Sequence, residues 1–111
     1  MATLSSHLLN SVDGTHANGV KVIINQINSS GEKIIFFETE TDDGGRILKD
    51  FNLSENDCKC DYEMICKISD YFSEKKIVSE IIIKFRMEDP KKKYHLPIII
   101  SPNGYSIWWS Q

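Results

Sequence analysis

Residues 93–106 read KYHLPIIISPNGYS. In an extended chain successive side chains point to opposite faces, so Tyr94, Leu96, Ile98 and Ile100 share one face and His95, Pro97, Ile99 and Ser101 share the other. ProAsnGly makes a turn, and YSIWW (105–109) reads as a final strand. If the first set fills a core, the second faces outward. An outward face that carries Pro97 and Ile99 beside a histidine implies cover by another subunit or by a ligand. Taken alone, His95 reads most simply as a half-buried histidine hydrogen-bonded to backbone.

The same alternation extends in both directions along the chain. LSSHLLN (4–10) is a short run closed by the turn formers of SVDGTHANG. In it Thr3, Ser5, His7 and Leu9 form one face, and Leu4, Ser6 and Leu8 the other. VKVIINQI (20–27) and KIIFFETET (33–41) are joined by a Ser-Ser-Gly-Glu turn and predict a hairpin. DDGGR makes a second turn, ILKDF a short strand, and the polar NLSENDCKC (52–60) a loop. In DYEMICKI (61–68), Tyr62, Met64, Cys66 and Ile68 alternate against Glu63, Ile65 and Lys67. SDYFSEKK breaks the pattern; Ser69 is a cap residue, Asp70 suits a first turn, and a helix of about two turns is expected. Strand character resumes in IVSEIIIKFRM (77–87) and ends at Asp89–Pro90. Seven or eight short strands with one short helix predict an all-β, two-sheet sandwich formed as a single domain over residues 1–111.

A chain of 111 residues with 13 basic and 16 acidic side chains carries a net charge of −3, which argues against a nucleic-acid binder. Its one basic cluster, Lys91–Lys93, sits between AspPro and a strand and reads as a solvated turn. No segment is apolar and long enough for a membrane span, and no secretory signal or peroxisomal ending is evident, so a cytoplasmic protein is expected. Cys58, Cys60 and Cys66 cannot all pair within one chain, and free thiols are the simplest reading. Neither a disulfide nor a metal or other cofactor is expected, because no further ligands stand at zinc-site spacing.

No nucleophile elbow, phosphate loop or HExxH motif occurs, and no pair of carboxylates stands out as an acid and a base. His7 on the first strand, His16 in the GTHANG turn and Arg46 leaving the DDGG turn are individually weak signals; His16 in particular reads as solvated.

Together, however, these stretches resemble a family. LSSHLLNSVDGTHANGV is similar to the LSTHVLDxxxGxPAxGV opening of the 5-hydroxyisourate hydrolases, enzymes of the transthyretin-like fold that act in urate breakdown. TDDGGR (41–46) resembles their TNxDGR segment, and KYHLPIIISPNGYS their HYHVPLLLSPYGYS segment. Order and spacing agree over essentially the whole chain. The resemblance implies a transthyretin-like sandwich with His7, Arg46 and His95 as catalytic residues. It implies substrate contacts from His7, Arg46, Ser106, Trp108 and Gln111, and a homotetramer whose sites lie in a channel between two dimers. The family ends in YRGS; this chain ends in Trp108, Trp109, Ser110 and Gln111. The aromatic position survives as an indole, while the arginine is replaced by Trp109.

The chemistry implied is metal-free, cofactor-free ring opening by water. An imidazole of His7 or His95 serves as base, and Arg46 binds the substrate's oxygens. The alternative is a non-catalytic transthyretin-like protein that holds another flat ligand in its channel.

Overall fold

Alternating apolar side chains commit most of the chain to strands. The structure, a computed structural model, describes residues 1–73 and 77–108. Its strands are β1 (Ala2–Asn10), β2 (Lys21–Ile27), β3 (Lys33–Glu40), β4 (Arg46–Phe51), β5 (Asp61–Cys66), β6 (Ile81–Arg86), β7 (Lys93–Ser101) and β8 (Gly104–Ile107). They form two four-stranded sheets, β4-β1-β7-β8 and β3-β2-β5-β6. Every pairing is antiparallel except that of β1 with β7.

The core lies between the sheets. Leu4, Leu8, Ile98 and Ile100 enter it from one sheet, and Ile24, Tyr62, Met64 and Cys66 from the other. Each such aliphatic side chain contributes roughly 1.5–3 kcal/mol when removed from water. Tyr62 is fully buried and keeps its hydroxyl satisfied: it donates to the Asp57 carbonyl at 2.8 Å and accepts from Gln26 Nε2 at 3.0 Å. Burial pushes its pKa up to about 12, so it stays a neutral donor.

The segment after β5 differs from the expected two-turn helix. Its described part holds one 3-10 turn, Ile68–Asp70, preceded by Lys67 and without a side-chain cap. Ser69 does not cap; its N–H donates instead to the Ser79 carbonyl at 3.1 Å, which ties the segment to the approach to β6. Ile68 and Phe72 anchor it in the core. Residues 74–76 of the expected helix lie outside the described residues. The loop before β5 also contains a 3-10 turn, Asp57–Lys59.

Glu63 is a second difference. Alternation puts it on the polar side of β5, yet it is buried, with Lys33 Nζ 2.9 Å from Oε1 and Asn25 donating to the same oxygen at 3.3 Å. The hydrogen bond from Lys33, assisted by Asn25, holds its carboxyl below the usual carboxylate range against the effect of burial.

Candidate active site

The outer face of the β4-β1-β7-β8 sheet gathers the polar residues of four strands. Parallel pairing sets Ser5 opposite His95 and His7 opposite Pro97. Antiparallel pairing sets His7 opposite Arg46 and Ser5 opposite Leu48. Directly paired residues point to the same side of a sheet, so Arg46, His7 and Pro97 form one cross-strand row and Leu48, Ser5 and His95 the next. His7, Arg46 and His95, separated by up to 88 positions of sequence, therefore share one patch.

His95 is half-buried, and Ser5 Oγ lies 2.8 Å from its Nδ1. Its partner is thus a side chain of the neighbouring strand, not the backbone acceptor expected from sequence. This bond fixes the ring through Nδ1, and the tautomer with Nε2 unprotonated is the one in which Nδ1–H donates to Ser5. A depression of about 410 Å³ opens here, lined by Ser5, Asp42, Arg46, Leu48 and His95 among others. A separate depression on the opposite sheet, bordered by Lys21, Ile23, Glu38, Glu40 and Lys67, contains no imidazole.

Arg46 is placed by the turn that precedes it. Asp42 Oδ1 accepts hydrogen bonds from the backbone N–H groups of Gly44 and Arg46, both at 2.9 Å, and the Asp42 carbonyl accepts from Gly45 at 2.9 Å. The acid of the turn is spent on backbone donors. The Arg46 guanidinium is exposed and has no ion-pair partner among the described residues. Gly45 closes the turn at φ 72°. A Cβ there would lie 2.5 Å from the Leu8 carbonyl oxygen and 3.3 Å from the Cβ of His16. Only glycine allows the turn to pack this closely on β1 and the loop beyond it.

That loop carries a site residue which the sequence did not single out. His16 is exposed, as expected, but its Nδ1 lies 2.9 Å from His7 Nε2, and the two rings lie edge to edge, their planes 25° apart and their centroids 5.0 Å apart. The visible signal was a third histidine nine residues from the first; the local pattern gave no hint that the loop folds back. Partial burial, the Arg46 charge and the His16 charge lower the pKa of His7, with a small further contribution from His95; a backbone hydrogen bond with Gly44 opposes them. His7 is therefore neutral at neutral pH.

Of the substrate contacts implied by resemblance, Ser106 pairs with Ile99 and so shares the outer face. Trp108, two residues on, follows it and is 45% exposed. Tyr105 and Ile107 pair with Ile100 and Ile98 on the opposite side. Trp109 and Gln111 lie outside the described residues. Pro97, expected to be exposed on the outer face, is already buried among its neighbours, whereas Leu48 on that face is 73% exposed. The three cysteines are free, and burial pushes the Cys66 thiol up to about 12. No group of three or more metal-ligating side chains is found among the described residues, and none of the described helices could cross a membrane.

Two four-stranded sheets of this order, with imidazoles and a guanidinium on the outer face of one, define a transthyretin-like sandwich bearing a polar site on its β4-β1-β7-β8 sheet. The family model described as HIUase/Transthyretin family matches residues 4–109, and the chain belongs to that family. It is 28% identical over 112 residues to a 5-hydroxyisourate hydrolase of Halalkalibacterium halodurans, covering 95% of this chain and 94% of that protein. It is 32% identical over 108 residues to a 5-hydroxyisourate hydrolase of Salmonella typhimurium, covering 95% and 78%. Among solved structures, the 5-hydroxyisourate hydrolase of Klebsiella pneumoniae superposes with a TM-score of 0.80 at 26% identity, over the full length of both chains.

Proposed function

We propose that this protein hydrolyses 5-hydroxyisourate to 2-oxo-4-hydroxy-4-carboxy-5-ureidoimidazoline in urate catabolism. The observation that carries this reading is the meeting of His7, Arg46 and His95 on one sheet face, in a chain whose relatives bear that activity in their names. Nε2 of His95, the nitrogen not held by Ser5, takes a proton from water as the water oxygen bonds to the substrate's ring carbonyl. The ring C–N bond then breaks, the imidazolium returns the proton to the leaving nitrogen, and the product is a carboxylic acid that ionises. Arg46 and neutral His7, paired across β1 and β4, face the oxygen on which negative charge develops. The guanidinium meets it with a permanent charge and a fork of N–H donors, with the His7 ring beside it. The step calls for neither a metal nor a cofactor.

Ser106 and Trp108 border the site on the β8 side, where the indole can stack on a flat heterocycle; Gln111 is assigned to the same wall by resemblance. A homotetramer, with two dimers packed through this sheet, would cover exposed Leu48 and Trp108 and enclose the site. The reducing cytoplasm suits three free thiols.

The test is the decay of freshly generated 5-hydroxyisourate followed by its absorbance. Acceleration in proportion to protein concentration is expected, and decay no faster than in buffer would end the proposal. Light scattering at micromolar protein tests the assembly: a monomer mass would remove the shared channel.

A further inference from the structure

The basic cluster at residues 91–93 divides in the structure. Lys91 belongs to the turn after Asp89, its N–H donating to Asp89 Oδ1 at 2.9 Å, whereas Lys93 is the first residue of β7. Tyr94 and Leu96 point into the core, so Lys93 and His95 leave β7 on the same outer face. Two residues of strand set them about 6.6 Å apart along it. The backbone at this point is fixed: Thr3 N–H donates to the Lys92 carbonyl at 3.1 Å, and Thr3 pairs with Lys93. The family motif has histidine where Lys93 stands, so an ammonium at this position is a property of the present chain.

The outer face therefore carries a third cross-strand row, Asp50, Thr3 and Lys93, next to the row of Leu48, Ser5 and His95. Asp50 is held at one end of it, accepting from the Thr3 hydroxyl at 2.7 Å. Lys93, at the other end, is exposed and has no ion-pair partner among the described residues. Two unpaired cations, Arg46 and Lys93, thus flank the His95 row, one row away on either side. Four residues along β1 and two strand spacings put their Cα atoms about 16 Å apart. Two long side chains reaching inward over that distance leave between their charges a gap the size of a flat two-ring heterocycle, with His95 beside its middle.

We propose that Lys93 is a second substrate-binding cation of this site: its ammonium takes the carbonyl oxygen at the end of the flat heterocycle remote from the bond that breaks, while Arg46 takes the end at which charge develops. This deepens the hydrolase reading and rests on it for the identity of the substrate. The compact, strongly hydrated ammonium on a flexible stem suits an oxygen held at the open end of the depression. The charge on that remote oxygen is the same before and during ring opening. Lys93 therefore binds ground state and transition state alike, and it sets KM, not kcat. Lys91, in the turn, takes no part.

Steady-state kinetics with freshly generated 5-hydroxyisourate separate the two constants. Lys93→Gln, an exposed substitution that leaves the fold intact, should raise KM roughly five- to tenfold, the scale of a partly screened charged hydrogen bond, and leave kcat within about twofold. Lys93→Arg should restore KM, because it returns the charge, and Lys91→Gln should match the natural chain. Added salt should raise KM more steeply in the natural chain than in Lys93→Gln. A KM for Lys93→Gln within about twofold of the natural value, or the same change in Lys91→Gln, would overturn the proposal. If the natural chain fails to hydrolyse hydroxyisourate, the functional reading falls, and calorimetric titration with urate, a stable flat heterocycle, judges the subsite by itself. Weaker urate binding by Lys93→Gln than by the natural chain upholds it; equal binding, or none by either, overturns it.

Discussion

Replacing Gly45 by alanine tests whether the turn, the loop and the site are one construction. At φ 72° an L side chain costs about 1–2 kcal/mol before any contact is counted. The added methyl would stand 2.5 Å from the Leu8 carbonyl oxygen and 3.0 Å from Ala17 N, both backbone atoms that cannot rotate away. Relief requires the turn to lift off β1. That strains the Leu8 N–H to Gly45 carbonyl bond and the Ala17 N–H to Leu8 carbonyl bond, each worth about 0.5–1.5 kcal/mol. A loss of about 2–4 kcal/mol follows, a large fraction of the stability of a domain this size. Urea unfolding followed by far-ultraviolet circular dichroism measures it, and the unfolding slope should stay constant. Gly44→Ala is the control: its Cβ would meet Asp42 Oδ1 at 3.4 Å and only the flexible side chain of Arg46 beyond, so less than about 1 kcal/mol is expected. Lifting the turn also moves Arg46 and the His16 Cβ, so Gly45→Ala should lose activity at temperatures where it is still folded. If Gly45→Ala unfolds within about 0.5 kcal/mol of the natural chain, the close packing of the turn on β1 is not what holds Arg46 in place.

His95→Ala should cut the hydrolysis rate by about a hundredfold or more if His95 is the base; an unchanged rate in the folded variant would remove it from the mechanism. Ser5→Ala should leave the fold intact and reduce kcat more than it changes KM, since it frees the His95 ring without removing it; equal activity would show that ring orientation does not depend on Ser5. Cys66, with its thiol held near 12, should resist iodoacetamide until the protein is unfolded, while part-exposed Cys58 reacts in the native state; early labelling of Cys66 in mass spectra would contradict its burial. Replacing the tail by Trp108→Tyr, Trp109→Arg, Ser110→Gly and Gln111→Ser should raise kcat/KM, because an arginine contributes a charged hydrogen bond of about 1–3 kcal/mol. A rate that is unchanged or lower would mean that the WWSQ ending is no handicap.

Local pattern determined much of this protein. The side chains that alternation assigned to the interior of residues 61–68, Tyr62, Met64, Cys66 and Ile68, are all fully buried, because a strand has only two faces and a sandwich buries one. On the other sheet Ile98 and Ile100 are fully buried and Tyr94 and Leu96 nearly so. The family motifs were legible because they are short continuous strings, and they pointed to His7, Arg46 and His95 without saying how these meet. Pairing between distant strands decided the rest. Ser5 and His95 are 90 residues apart, and only the parallel register of β1 with β7 puts a hydroxyl on Nδ1. Alternation places Glu63 only on the face of Ile65 and Lys67; it is β2 and β3 that bring Asn25 and Lys33 over it. His16 looks like any polar turn residue until the loop folds back on β1 and the Gly45 turn closes on both. Periodicity fixes the side of a strand on which a residue lies; the neighbour it finds there depends on chain closure over tens of residues, which no local pattern encodes.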